Sequence, residues 1–307
     1  MKTSLARLAS LTTLFCTIAA LASAQDGQPC RLMRMASLDM SLGWAGDISV
    51  PINISGRNFL FRVDTGDTVS VISSGAASIL GNNVLNSVDH LEFMGKIDLD
   101  RYILAKNMQV DQLGGEEFKF MIAPQRLLGP SDGLIGADFL ANFDLDIDFA
   151  ANKLNLFDPN HCPGKVVYWT RDAYADMPIE LNNGGHITVA VTLDGKAINA
   201  DVDTGADRSS LGYETAVHLF NLEGNSKLQK LNMSVNGGPR HTIYRYPFDS
   251  LSFGAISVSH PEIDILPDQA WGVGIAPMII GRNVLRALHL YVAYKEHKLY
   301  ATPAEAH

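Results

Sequence analysis

The chain has 307 residues, of which 47% are hydrophobic, 19% charged and 8% aromatic, with 26 Gly and 13 Pro. This balance excludes a disordered, collagen-like or coiled-coil chain, and the length suits two domains with a core in each. A formal charge of -9 without a long Lys/Arg run argues against nucleic acid or an anionic membrane as partner.

The first segment reads as a secretory signal. Lys2 and Arg7 precede a short apolar stretch that ends in Ala22-Ser23-Ala24, so cleavage is expected before Gln25. The alternative is a membrane anchor, which the short stretch and its small terminal residues disfavour. Phe15 is too bulky for the position before a lipidated cysteine. No later segment is long and apolar enough to span a bilayer, so no stable membrane insertion is expected after cleavage. The expected mature protein is secreted or periplasmic, with 283 residues and a formal charge of -11. Cys30 and Cys162 survive cleavage, and an oxidising compartment allows them to pair or to remain as two thiols. Residues 25–39 read as a short pro-segment or an edge strand.

Two blocks then recur. Residues 40–73 align without a gap on residues 179–212, with Asp64-Thr65-Gly66 falling on Asp203-Thr204-Gly205 at an offset of 139. Residues 136–154 align on residues 281–299 at an offset of 145. In the first block Ile48, Val50, Ile52 and Ile54 alternate with polar or small residues, as do Ile187, Val189, Val191 and Leu193. That is the period of a half-buried strand. Ser55-Gly56 and Asp194-Gly195 mark hairpin turns. Helical signals are confined to about 74–80, 137–141, 213–220 and 282–287. The expected fold is all-β and bilobal. It has an N-terminal lobe over 25–157, a linker over 158–178 and a C-terminal lobe over 179–307, and Val166 to Thr170 has the composition of a further strand.

One Asp-Thr-Gly is an ordinary turn after a strand. Two copies at equivalent places in duplicated lobes are different, because residues near a pseudo-twofold axis face their own equivalents. Asp64 and Asp203 could then meet. Two adjoining carboxylates cannot both ionise easily, so they hold one proton between them. Such a pair can polarise a water and donate a proton, the two tasks in hydrolysis of an amide.

With these motifs the chain resembles the retropepsin-like aspartic peptidases. Their signature is Asp-Thr-Gly after a strand and, later, two apolar residues and a glycine, here Leu134-Ile135-Gly136 and Ile279-Ile280-Gly281. The resemblance covers both lobes, with two lobes in one chain as in pepsin, and implies a monomer that cleaves peptides and needs neither metal nor organic cofactor. It implies that Asp64 and Asp203 activate the water. Thr65 and Thr204 would lock the two loops together, and Gly66 and Gly205 would let backbone approach the dyad. Asp67, Ala206 and the apolar-apolar-Gly segments would border the substrate cleft. Met94-Gly95 and Asn236-Gly237-Gly238 are candidate tips of hairpin flaps. In the retroviral pattern Asp207 would pair with Arg282 as a structural bridge. Asp67 stands where the family has Ala or Ser, and a third carboxylate would raise the apparent pKa of the cluster. It also keeps open an alternative, a non-catalytic secreted peptide-binding protein with this fold.

Asp144, Asp146 and Asp148 alternate in FDLDIDF without the glycine and glutamate of an EF-hand loop, and are expected on the exposed face of a strand. His161 beside Cys162 reads as a linker detail.

Overall fold

Alternation and turn chemistry decide the first hairpin. In strand Ile48–Ile54 the residues Ile48, Val50, Ile52 and Ile54 are all buried. It pairs antiparallel with Arg57–Val63. Both turn residues, Ser55 and Gly56, have positive φ, the geometry that matches strand twist in a two-residue hairpin. Strand Ile187–Leu193 repeats this with Lys196–Val202 through Asp194 and Gly195, again both at positive φ. The computed structural model describes residues 31–43, 47–93, 97–182, 184–234, 240–267 and 275–304, and Arg31–His307 form one compact unit.

The fold is all-β and bilobal. In the first lobe six strands close on themselves as a barrel. Their order is Ile48–Ile54, Arg57–Val63, Gly133–Ile135, Val71–Ser73, Leu113–Ala123 and Ile97–Val110, closed by Asn53↔Gln109 and Ile54↔Met108. In the second lobe the same run reads Ile187–Leu193, Lys196–Val202, Met278–Ile280, Ser210–Gly212, Glu262–Leu266 and Arg240–Pro247. The central three strands of each lobe correspond at the two sequence offsets, 139 and 145, as do helices Ser74–Leu80 and Tyr213–Phe220. Ser73 caps the first of these helices by accepting from Ala76 N, and Gly81 at φ 67 ends it. Helix Gln125–Leu128, not foreseen from the sequence, is a single turn.

Between the lobes runs a shared sheet, ordered Arg34–Asp39, Lys153–Phe157, Asp144–Asp148, Leu288–Ala293, Lys298–Pro303 and Ala175–Leu181. Residues 34–39 are therefore an edge strand. The lobes join where Asp144–Asp148 pairs antiparallel with Leu288–Ala293, in the register Leu145↔Val292 and Ile147↔Leu290. These four apolar residues belong to one core that continues into both lobes.

The other face of this sheet corrects two expectations. Asp144 and Asp146 are wholly buried. Segment 158–174 crosses over them as irregular chain, and Val166 to Thr170 is not a strand. Asp144 accepts from His161, from Tyr291 Oη at 3.3 Å and from Tyr294 N at 3.0 Å. Asp146 accepts from Tyr168, from Asn155 Nδ2 at 3.0 Å and from His289 Nε2 at 2.5 Å. Trp169 stacks on His289 at 4.1 Å between centroids and donates to Thr302 Oγ1. The strand keeps its period of two, but it is covered on both faces, and Asp144 and Asp146 are buried with partners. Burial still raises the Asp144 carboxyl above the usual carboxylate range, against the opposing effect of its His161 partner. His161 also lies 3.2 Å from Glu296, so it ties the segment to the sheet.

Candidate active site

Each Asp-Thr-Gly loop leaves the end of one strand and is held by its neighbours. Arg57–Val63 runs parallel to Gly133–Ile135, and Asp64 N donates to Ile135 O at 3.0 Å. Lys196–Val202 runs parallel to Met278–Ile280, and Asp203 N donates to Ile280 O at 3.0 Å. Gly136 N donates to Ser70 Oγ, and Gly281 N to Ser209 Oγ. Ser70 is in turn held by Asp138 and Ser209 by Asn283. These four residues were overlooked in the sequence, although they too match at offsets 139 and 145. Gly136 and Gly281 are required sterically: a Cβ on either would lie 2.6–2.7 Å from backbone of the loop behind it.

Across the axis the threonines form a closed ring of four hydrogen bonds. Thr65 Oγ1 donates to Val202 O at 2.7 Å and accepts from Thr204 N at 3.1 Å. Thr204 Oγ1 donates to Val63 O at 2.8 Å and accepts from Thr65 N at 3.1 Å. Both hydroxyls are buried, so every backbone group in the ring depends on the opposite lobe.

The ring brings the loops that carry Asp64 and Asp203 together, close enough that the charge of Asp203 acts on Asp64. Two adjoining carboxyls do not both ionise easily, and a shared proton relieves their repulsion. Each glycine lies against the opposite carboxyl: a Cβ on Gly205 would fall 2.0 Å from Asp64 Oδ2, and one on Gly66 2.3 Å from Asp203 Cγ. Burial raises both carboxyls above the usual carboxylate range. The charges of Asp203 and Asp67 raise Asp64 further, and its shift is large. Asp203 Oδ1 accepts from Gly205 N at 2.7 Å and Ala206 N at 3.0 Å, whereas Asp64 Oδ1 accepts from Gly66 N at 3.0 Å. Donors that favour the charged form are thus more numerous on Asp203. Asp67 is half-buried and pushed up to about 7, first by burial and then by Asp203, with Arg62 opposing.

Arg282 differs from expectation. Its Nη1 donates to Thr204 O and Gly205 O, each at 2.7 Å, and its Nη2 pairs with Asp47 of the first lobe at 3.0 Å. Asp207 is exposed and makes no ion pair with Arg282. The buried guanidinium takes the partner that it can reach without water, and that partner is on the other lobe. The equivalent positions are Ala137 and His186, so this bridge exists on one side of the axis only.

Of the apolar-apolar-Gly residues, Ile135 and Ile280 point into the main core. Leu134 lies on the opposite face, in a second cluster with Val71, Phe93 and Leu99, and Ile279 is half-buried beside Asp201. Met94, Gly95, Asn236, Gly237 and Gly238 lie outside the described residues. Cys162 is disulfide-bonded, and Cys30 lies outside the described residues. Among the described residues no His/Cys/Asp/Glu group is arranged to hold a metal ion, and no helix is long and apolar enough to cross a membrane.

Residues 189–284 match the family model for aspartyl protease. The match spans Asp203-Thr204-Gly205 and Ile279-Ile280-Gly281 and supports an aspartic protease class for the chain. No curated protein matches it.

Proposed function

We propose that this protein is a single-chain, retropepsin-like aspartic endopeptidase, exported by its first 24 residues to the periplasm or outside the cell, with Asp64 and Asp203 as its catalytic dyad. The observation that carries this reading is the mutual approach of the two Asp-Thr-Gly loops, each with its glycine against the carboxyl of the other. Asp203, with more backbone donors, is the charged member, and Asp64 is the protonated one. Water bound between them gives a proton to Asp203 as its oxygen attacks the scissile carbonyl. Asp64 donates its proton to the carbonyl oxygen, leaving a neutral gem-diol. Asp203 then protonates the departing nitrogen. As the carbon–nitrogen bond breaks, Asp64 recovers a proton from a gem-diol hydroxyl, and the dyad returns to its starting state. The protein's residues supply every proton transfer in this sequence.

Cleavage of a mixed peptide library by the purified mature chain tests the reading. Asp64→Asn and Asp203→Asn should each reduce kcat/KM by about 10²–10⁴-fold, the usual worth of a positioned acid or base, with an unchanged circular dichroism spectrum. A folded wild type that cleaves nothing, or either variant at full activity, would refute the proposal and favour a peptide-binding role.

A further inference from the structure

Arg62 is a neighbour of the dyad that the mechanism does not use. It lies two residues before Asp64 on strand Arg57–Val63, where Phe61 and Val63 point into the barrel core. Arg62 therefore faces outward. Directly across from it are Ser49 and Leu134, and Leu134 packs in the cluster with Phe93 and Leu99 from the long hairpin of this lobe. Its charge acts on both Asp64 and Asp67. Arg62 thus lies beside the acids, on the strand position opposite Leu134.

Two of its guanidinium nitrogens, Nε and Nη2, are buried and left without a hydrogen bond. Those two atoms form the edge with which arginine grips a carboxylate through two parallel bonds. The same protein shows that edge in use: Arg245 holds Asp264 through Nε at 2.6 Å and Nη2 at 3.1 Å. The position equivalent to Arg62 in the second lobe is also satisfied. There Asp201 accepts from Thr188 Oγ1 at 2.5 Å and from Ala276 N at 3.0 Å. A buried guanidinium edge left unpaired beside a reaction centre is costly unless an anion comes to occupy it during function.

Building on the peptidase reading, we infer that Arg62 is a specificity-determining residue which binds the side-chain carboxylate of an Asp or Glu close to the scissile bond. The protein would then select acidic positions in its substrates.

Acetylated, amidated peptides with Glu/Gln or Asp/Asn exchanged at each position around the cleavage site leave the side chain as the sole carboxylate. Above pH 5 the wild type should show, at one position, about a 10- to 100-fold higher kcat/KM for the acid than for its amide, the range of a charged hydrogen-bonded pair. Arg62→Gln should reduce that ratio to about one, and Arg62→Lys should retain part of it. Equal cleavage of acid and amide at all positions by the wild type would overturn this inference alone, as would a preference unaltered in Arg62→Gln. A folded wild type that cleaves no peptide would overturn the peptidase reading and this inference with it.

Discussion

Replacing Thr204 by Val tests whether the two lobes are held together at the loops that carry the carboxyls. Thr204 and Thr65 are 0% and 1% exposed. The substitution keeps the branched shape but removes one hydroxyl, and with it the bond to Val63 O at 2.8 Å and the bond from Thr65 N at 3.1 Å. A carbonyl and an amide N–H are then left buried without partners. Each costs about 1–3 kcal/mol, so the variant should lose about 2–6 kcal/mol. That is a large part of a typical total of about 5–15 kcal/mol. Thr204→Ser keeps the hydroxyl and loses a methyl group worth about 0.8 kcal/mol. Equilibrium unfolding in urea gives both values, provided the slope against denaturant is unchanged. Cleavage should fall with Val and survive with Ser, because the ring sets the distance between the carboxyls. A valine variant within about 1 kcal/mol of the serine variant, at equal slope, would refute the claim that the ring is dry and fully used.

Asp67 ties stability to pH. Its folded pKa of about 7 lies above the unfolded value of 3.8, so its contribution is greatest below 3.8 and is lost as pH rises through about 7. Asp67→Asn should flatten the decline in melting temperature over that window and move the alkaline limb of the pH–rate profile to lower pH; coincident profiles would exclude the coupling. Arg282→Met deprives Thr204 O, Gly205 O and Asp47 of their donor and should cost about 3–5 kcal/mol, while Asp207→Asn should stay within about 0.5 kcal/mol. Equal losses in the two variants, measured by denaturant unfolding, would restore the Asp207–Arg282 pair. Gly205→Ala should abolish cleavage, because its Cβ would fall 2.0 Å from Asp64 Oδ2; full activity would mean that the loops are farther apart.

Local chemistry made much of this protein legible in its sequence. Alternating Ile and Val, Ser-Gly and Asp-Gly turns, and a twice-repeated Asp-Thr-Gly specify strands, hairpins and loops through interactions a few residues long. The spacing of the two copies also indicated which residues are equivalent. Tertiary structure alone decided what covers each surface. The alternating acids of Asp144–Asp148 have the pattern of an exposed face, yet a crossing segment that follows in the chain buries them with His161, Tyr168 and His289. The family resemblance pairs Arg282 with Asp207, yet it pairs with Asp47, 235 residues away. Arg62 reads as one more strand residue, and the unpaired edge of its guanidinium emerges only when its neighbours are in place. Periodicity records which side of a strand a residue faces. The partner on that side is fixed by chain that returns from far away, and a buried charge answers to that partner.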